Sequence, residues 1–138
     1  MYIRWAAGMS ETEKITINLG LVDLGQIDLL VQEGFYSNRT DFIRTAIRNQ
    51  LTTHSEKVRQ TVARKTLVFG LQNYTRRDLE AVREAGETLE IRVLGLASID
   101  DDVDPELALE TIESLIVLGA LRASPAVKAA LKDRIQSS

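Results

Sequence analysis

The chain of 138 residues is 27% charged and 44% hydrophobic, the balance of an ordinary globular protein, and no apolar run approaches the roughly 18 residues that span a bilayer. It has no cysteine, which excludes disulfides, thiolate metal sites and cysteine nucleophiles, and without a signal-peptide pattern its expected location is the cytoplasm. The net charge of -3 hides a split: residues 1–77 carry 11 Lys/Arg against 7 Asp/Glu (+4), and residues 78–138 carry 6 against 13 (-7), so only the front is suited to approach phosphates.

The opening Met-Tyr-Ile-Arg-Trp-Ala-Ala-Gly is too short and polar for a signal core and reads as an upstream arm, with Met9 an equally good start. Lys14-Ile15-Thr16-Ile17-Asn18-Leu19 alternates polar and apolar residues, with three of six β-branched, and this period of two predicts a half-buried strand. From Leu24 the apolar residues Ile27, Leu30 and Val31 mark one face of a three-turn helix that Gly34 should stop. Ser37-Asn38-Arg39-Thr40-Asp41 offers capping side chains for a second helix with the stripe Phe42, Ile43, Ala46, Ile47 and Leu51, and with Arg44 and Arg48 on another face.

A single strand followed by two helices cannot stand alone, because its backbone groups would be unpaired and Ile15, Ile17 and Leu19 would be wet. The economical solution is a homodimer in which the two copies of the strand pair antiparallel across a twofold axis. Ile15, Ile17, Leu19, Leu24, Ile27, Leu30, Ile43 and Ile47 are then the expected dimer core, and Lys14, Thr16 and Asn18 face outward.

Residues 54–65 continue helical and basic, with Lys57, Arg59, Arg64 and Lys65, as an extension of the second helix or a separate linker helix. Beyond them Val68-Phe-Gly-Leu71, Val93-Leu-Gly-Leu96 and Val117-Leu-Gly-Ala-Leu121 recur at intervals of 25 and 24 residues. Each precedes a helical stretch: Thr75 to Ala85, Asp104 to Ile112, and Ser124 to Ile135. Thr75, Asp102 or Asp104, and Ser124 are natural caps, and Pro105 and Pro125 suit first turns. Three strand-turn-helix units of this period suggest a short solenoid or small β/α layer with two open ends.

The strand, Leu24, Ile27-Asp28, Gly34 and the run Tyr36-Ser-Asn-Arg-Thr-Asp-Phe-Ile-Arg44 together resemble the ribbon-helix-helix superfamily of CopG, Arc and MetJ-like proteins. The likeness is greatest to the CopG and nickel-responsive-repressor branch, and it covers residues 13 to about 52. It implies that the outward strand residues enter the DNA major groove, giving base contacts to Lys14, Thr16 and Asn18. These types suit the task, since Lys donates to guanine, Asn can bridge adenine bidentately and Thr can meet a thymine methyl. Free N–H groups and the positive dipole end of the second helix make Ser37, Asn38, Arg39 and Thr40 the expected phosphate contacts. With one histidine, His54, and no cysteine, the nickel site of that branch cannot be rebuilt, and no metal or cofactor is expected. Asp100-Asp-Asp-Val-Asp104 lacks the glycine and distal glutamate of a calcium loop and is better explained by helix capping.

The expected organisation is an α+β chain: a flexible arm at 1–12, a ribbon-helix-helix domain at 13–53, a helical linker at 54–65 and a β/α repeat domain at 66–138 that serves oligomerisation or regulation. No catalytic constellation stands out, so the chain is read as a non-enzymatic, sequence-specific transcriptional repressor of bacterial type. It binds double-stranded DNA as a homodimer and self-associates further through its repeats. The alternatives are a polymer-forming scaffold with a ribbon as clamp or DNA anchor, and the antitoxin of a toxin-antitoxin pair.

Overall fold

The computed structural model describes residues 12–136, which fall into two compact units, residues 12–61 and residues 62–136. The expected N-terminal arm lies almost wholly outside the described residues.

In the first unit residues 12–20 form no regular element. They lead to α1 (Leu21–Gln32), and α2 (Arg39–Thr53) follows after a short turn. Helix α1 ends where the sequence indicates: Gly34 has φ 87, and Phe35 N donates to Leu30 O at 3.0 Å, the six-to-one bond that satisfies a terminal carbonyl. Helix α2 starts on Asn38, whose side chain accepts from Asp41 N at 2.8 Å. The Asp41 carboxylate in turn accepts from Ser37 N at 2.9 Å. Tyr36 and Phe42 meet edge to face, with centroids 5.0 Å apart, and tie the turn to the first turn of α2. The strand expected at 14–19 is not formed in the single chain. The reason is physical, since a strand exists only by hydrogen bonding to a neighbour, and no segment among the described residues lies beside residues 14–19 as a partner strand.

The basic stretch after His54 is α3 (Ser55–Arg64). The second unit continues with β1 (Val68–Tyr74), α4 (Arg76–Glu84), β2 (Leu89–Ile99), α5 (Pro105–Thr111), β3 (Ile112–Arg122), α6 (Pro125–Ala130) and a 3-10 turn at Lys132–Arg134. The strands run parallel in the order β1-β2-β3, so α4 and α5 are crossovers between neighbours. Helix α4 packs beside α5, and α5 beside α6. The caps are those the sequence offers. Thr75 and Asp78 form a reciprocal capping box, Asp104 accepts from Leu107 N at 2.8 Å, and Ser124 accepts from Val127 N at 3.2 Å.

The three repeated glycines stand in one row across the sheet, Gly70 beside Gly95 and Gly95 beside Gly119. Their φ values are 118, 140 and 120, a region open only to glycine. The core lies between this sheet and the helices, where Leu79, Leu107 and Val127 meet Ile91, Val93, Ala97 and Leu115, all nearly inaccessible. Phe69, Leu71, Leu94, Leu96 and Leu118 fall on alternate positions of the strands, on the opposite face, outside that core. One of the two ends expected to be open is partly closed. Ile135 bridges to Leu115 of β3, Gln136 N donates to Leu115 O at 2.8 Å, and Arg134 donates to the carbonyls of Leu109 and Ile112.

Candidate nucleic-acid interface

Lys14, Thr16 and Asn18 are exposed, as are Ile15, Ile17 and Leu19 between them. The alternation therefore does not resolve into an inner and an outer face within one chain. The apolar members are far from satisfied, with Ile15 76% and Ile17 62% accessible. The rest of the unit repeats the pattern. Among residues 12–61 Ile27 alone is buried. Leu24, Leu30 and Ile43 are half-buried, whereas Leu21, Val22, Leu29, Phe35, Ile47 and Leu51 are exposed. So much apolar surface on two short helices is unfavourable by about 25 cal/mol for each Å² left in water, and exposure on this scale marks a surface that associates. Of the eight residues expected in a dimer core, the single chain buries only Ile27.

The start of α2 brings Ser37, Asn38, Arg39 and Thr40 together at one exposed helix end. Their roles in the fold differ. Asn38 is occupied as the cap, and Ser37 uses its backbone N–H on Asp41. Arg39 Nε and Nη2 each lie 2.8 Å from an oxygen of Asp28 on α1, a bidentate fork that fixes one helix to the other. Hydrogen bonding from Arg39 holds the Asp28 carboxyl below the usual aspartate range, and the same bond raises the arginine. Arg39 thus presents its charge at the helix end while its fork is engaged with Asp28.

Sequence reasoning missed this pair, since the two residues are eleven apart and no helical period joins them. The exposed Leu21, Val22 and Phe35 were also missed. Their one signal was apolar character in positions where the helical stripe gave no reason for it. Arg44 and Arg48 are exposed on α2 and add to the basic character of the unit. Asp104 serves as a cap, and no group of three or more His, Asp or Glu among the described residues could hold a metal ion. No helix among them is long and apolar enough to cross a membrane.

The family model of ribbon-helix-helix transcriptional regulators matches residues 10–128, so it extends over the repeats as well as the first unit. An uncharacterized protein of Methanocaldococcus jannaschii is 42% identical over 40 residues, covering 29% of this chain. The aligned stretch spans 41% of that relative's length. No solved structure matches the chain.

Proposed function

The chain belongs to the ribbon-helix-helix transcriptional regulator family, and from this premise we propose that it is a sequence-specific repressor that reads operator DNA as a homodimer. Residues 14–19 of two copies pair antiparallel into a ribbon. The ribbon enters the major groove with Lys14, Thr16 and Asn18 toward the bases, while Ser37, Asn38, Arg39 and Thr40 sit against phosphates. Ile15, Ile17 and Leu19 turn inward onto Leu24, Ile27, Leu30, Ile43 and Ile47 of both copies. One observation carries the reading: the first unit buries a single side chain, Ile27, and exposes the apolar residues that a second copy would cover.

In this reading residues 13–53 form the DNA-binding domain, residues 54–65 a linker, and residues 66–138 a module that joins copies. One ribbon contacts few base pairs, so a module that holds copies together raises the effective concentration at which they meet on the DNA. The acidic charge from residue 78 onward keeps that module off the DNA, and the protein acts in the cytoplasm.

The test uses an operator recovered from random duplex DNA by the full chain. Lys14→Ala and Asn18→Ala should each weaken specific binding by about 1–3 kcal/mol at fixed salt, with the dimer intact. Unchanged specific binding in the double variant would show that the ribbon is not the reading head.

A further inference from the structure

The sheet of the second unit has two edges, and they are unlike. Along β3 the outer edge is occupied at its start by Ile135, Gln136 and Arg134. Along β1, Val68 to Tyr74, no strand among the described residues lies on the outer side. The segment Val-Phe-Gly-Leu-Gln-Asn-Tyr contains no charged residue and no proline, the two devices that commonly keep an edge from pairing. Its exposure wraps around the strand. Val68 shares the helix side with its neighbour Val93 yet is 44% accessible, and Phe69 on the opposite side is 62% accessible. A surface that served only to stack sheet on sheet would expose Phe69 and Leu71 but would not require Val68 to be bare. Apolar residues exposed on both sides of one strand, beside unpaired backbone groups, call for another strand in the same plane.

We propose that β1 is a self-pairing edge, taking β1 of a second copy antiparallel across a twofold axis to make a continuous sheet of six strands. Overlap of the whole strand places Leu71, its midpoint, opposite Leu71 of the second copy. Val68 then lies beside Tyr74 of that copy on the helix side, a β-branched and aromatic pair of the kind that stabilises antiparallel strands. Phe69 lies beside Asn73 on the other face. Because the contact is isologous it closes at two modules, and where these belong to the two copies of one ribbon dimer, association does not propagate as a filament.

A seven-residue edge buries on the order of 500 Å² per copy, less than the roughly 800 Å² per partner of a free-standing interface. The pairing thus rests on the proposed ribbon dimer, which tethers copies and supplies the effective concentration that a small interface needs.

The chain has no cysteine, so a single introduced thiol can cross-link only to itself in a second copy. In the full-length protein, Leu71→Cys should form a covalent dimer on mild oxidation at least tenfold faster than Leu118→Cys, which is exposed on β3, the other edge strand. A faster link at Leu118→Cys means face-to-face stacking and overturns the edge pairing. So does the absence of a link at Leu71→Cys: with a dimer mass by light scattering it leaves the ribbon reading standing, and with a monomer mass it removes both. Amide exchange on the unsubstituted protein guards against a misfolded variant. Every β1 amide should be protected, whereas free exchange at alternate β1 positions is the signature of an unpaired edge and overturns the proposal.

Discussion

Replacing Gly95 with alanine should strip the second unit of much of its stability, and two separate effects set the size. The φ of 140 belongs to a region that costs any residue with a Cβ about 1–3 kcal/mol. The added Cβ would also stand 2.2 Å from Gly70 O and 3.0 Å from its carbonyl carbon. Those are backbone atoms of the neighbouring strand, so no side chain can rotate away. Even a 3.0 Å contact requires β1 and β2 to part by about 0.8 Å at the centre of their ladder, and hydrogen bonds weaken steeply with such a shift. Two or three weakened bonds at about 1 kcal/mol each bring the loss to about 3–6 kcal/mol, against 5–15 kcal/mol for a whole domain. Gly119→Ala should be as severe, since its Cβ would stand 2.0 Å from Gly95 O, whereas at Gly70 nothing lies within 4 Å and only the conformational term, about 1–3 kcal/mol, applies. Urea unfolding of the full chain, followed by circular dichroism and by exchange of the β-strand amides, separates these cases. If Gly95→Ala proved no more damaging than Gly70→Ala, the close approach of the strands would not be what fixes glycine in this row.

Ile17→Asp should abolish association through the ribbon, because twofold symmetry would bury two unpaired carboxylates at several kcal/mol each. Light scattering and helix content of the full chain would report it, and an unchanged dimer mass would put Ile17 outside the interface. The Asp28–Arg39 fork predicts a pH signature. Asp28 is held below its usual range in the folded chain, so its favourable contribution is complete above the unfolded value and fades only as pH falls through the lower folded value. NMR titration should show the Asp28 carboxyl ionising at a lower pH than an ordinary aspartate, and Arg39→Ala should move it up. A titration midpoint indifferent to Arg39→Ala would mean that the fork does not persist in solution.

Much of the fold was legible because it is local. Gly34, Asn38, Thr75, Asp104 and Ser124 punctuate helices through their own backbone and side chains, and each stands at the helix boundary its chemistry implies. The repeat of Val-Phe-Gly and Val-Leu-Gly at 25 and 24 residues foretold three equivalent strands, though not why glycine holds the third place. That reason is a contact between strands, Gly95 against Gly70 O, and no spacing within one strand encodes it. The closure of β3 by Ile135 was likewise hidden, since the sequence shows an apolar residue at a chain end and nothing of where the chain returns. In the candidate interface the residue types were readable but their engagement was not. Arg39 looks from sequence like a cation at a helix end, and only the packing of α1 on α2 brings Asp28 to it.

The two units differ in what a single chain can accomplish, and this bears on regulation. Residues 62–136 bury Leu79, Ile91, Val93, Leu107, Leu115, Val127 and Leu131 almost completely within one copy, so their core is complete before any partner arrives. Residues 12–61 bury Ile27 alone, and the helices there carry apolar side chains with nothing to cover them. In the proposed dimer, folding of the ribbon and association are therefore one event, with protein concentration entering its equilibrium. In that proposal DNA binds only the paired ribbon and so shifts the same equilibrium. Copies held together through β1 would meet it at a far higher effective concentration than free chains. The edge at β1 and the ribbon at residues 14–19 are then coupled through the connecting chain: each is a weak or incomplete interface alone, and formation of either raises the occupancy of the other.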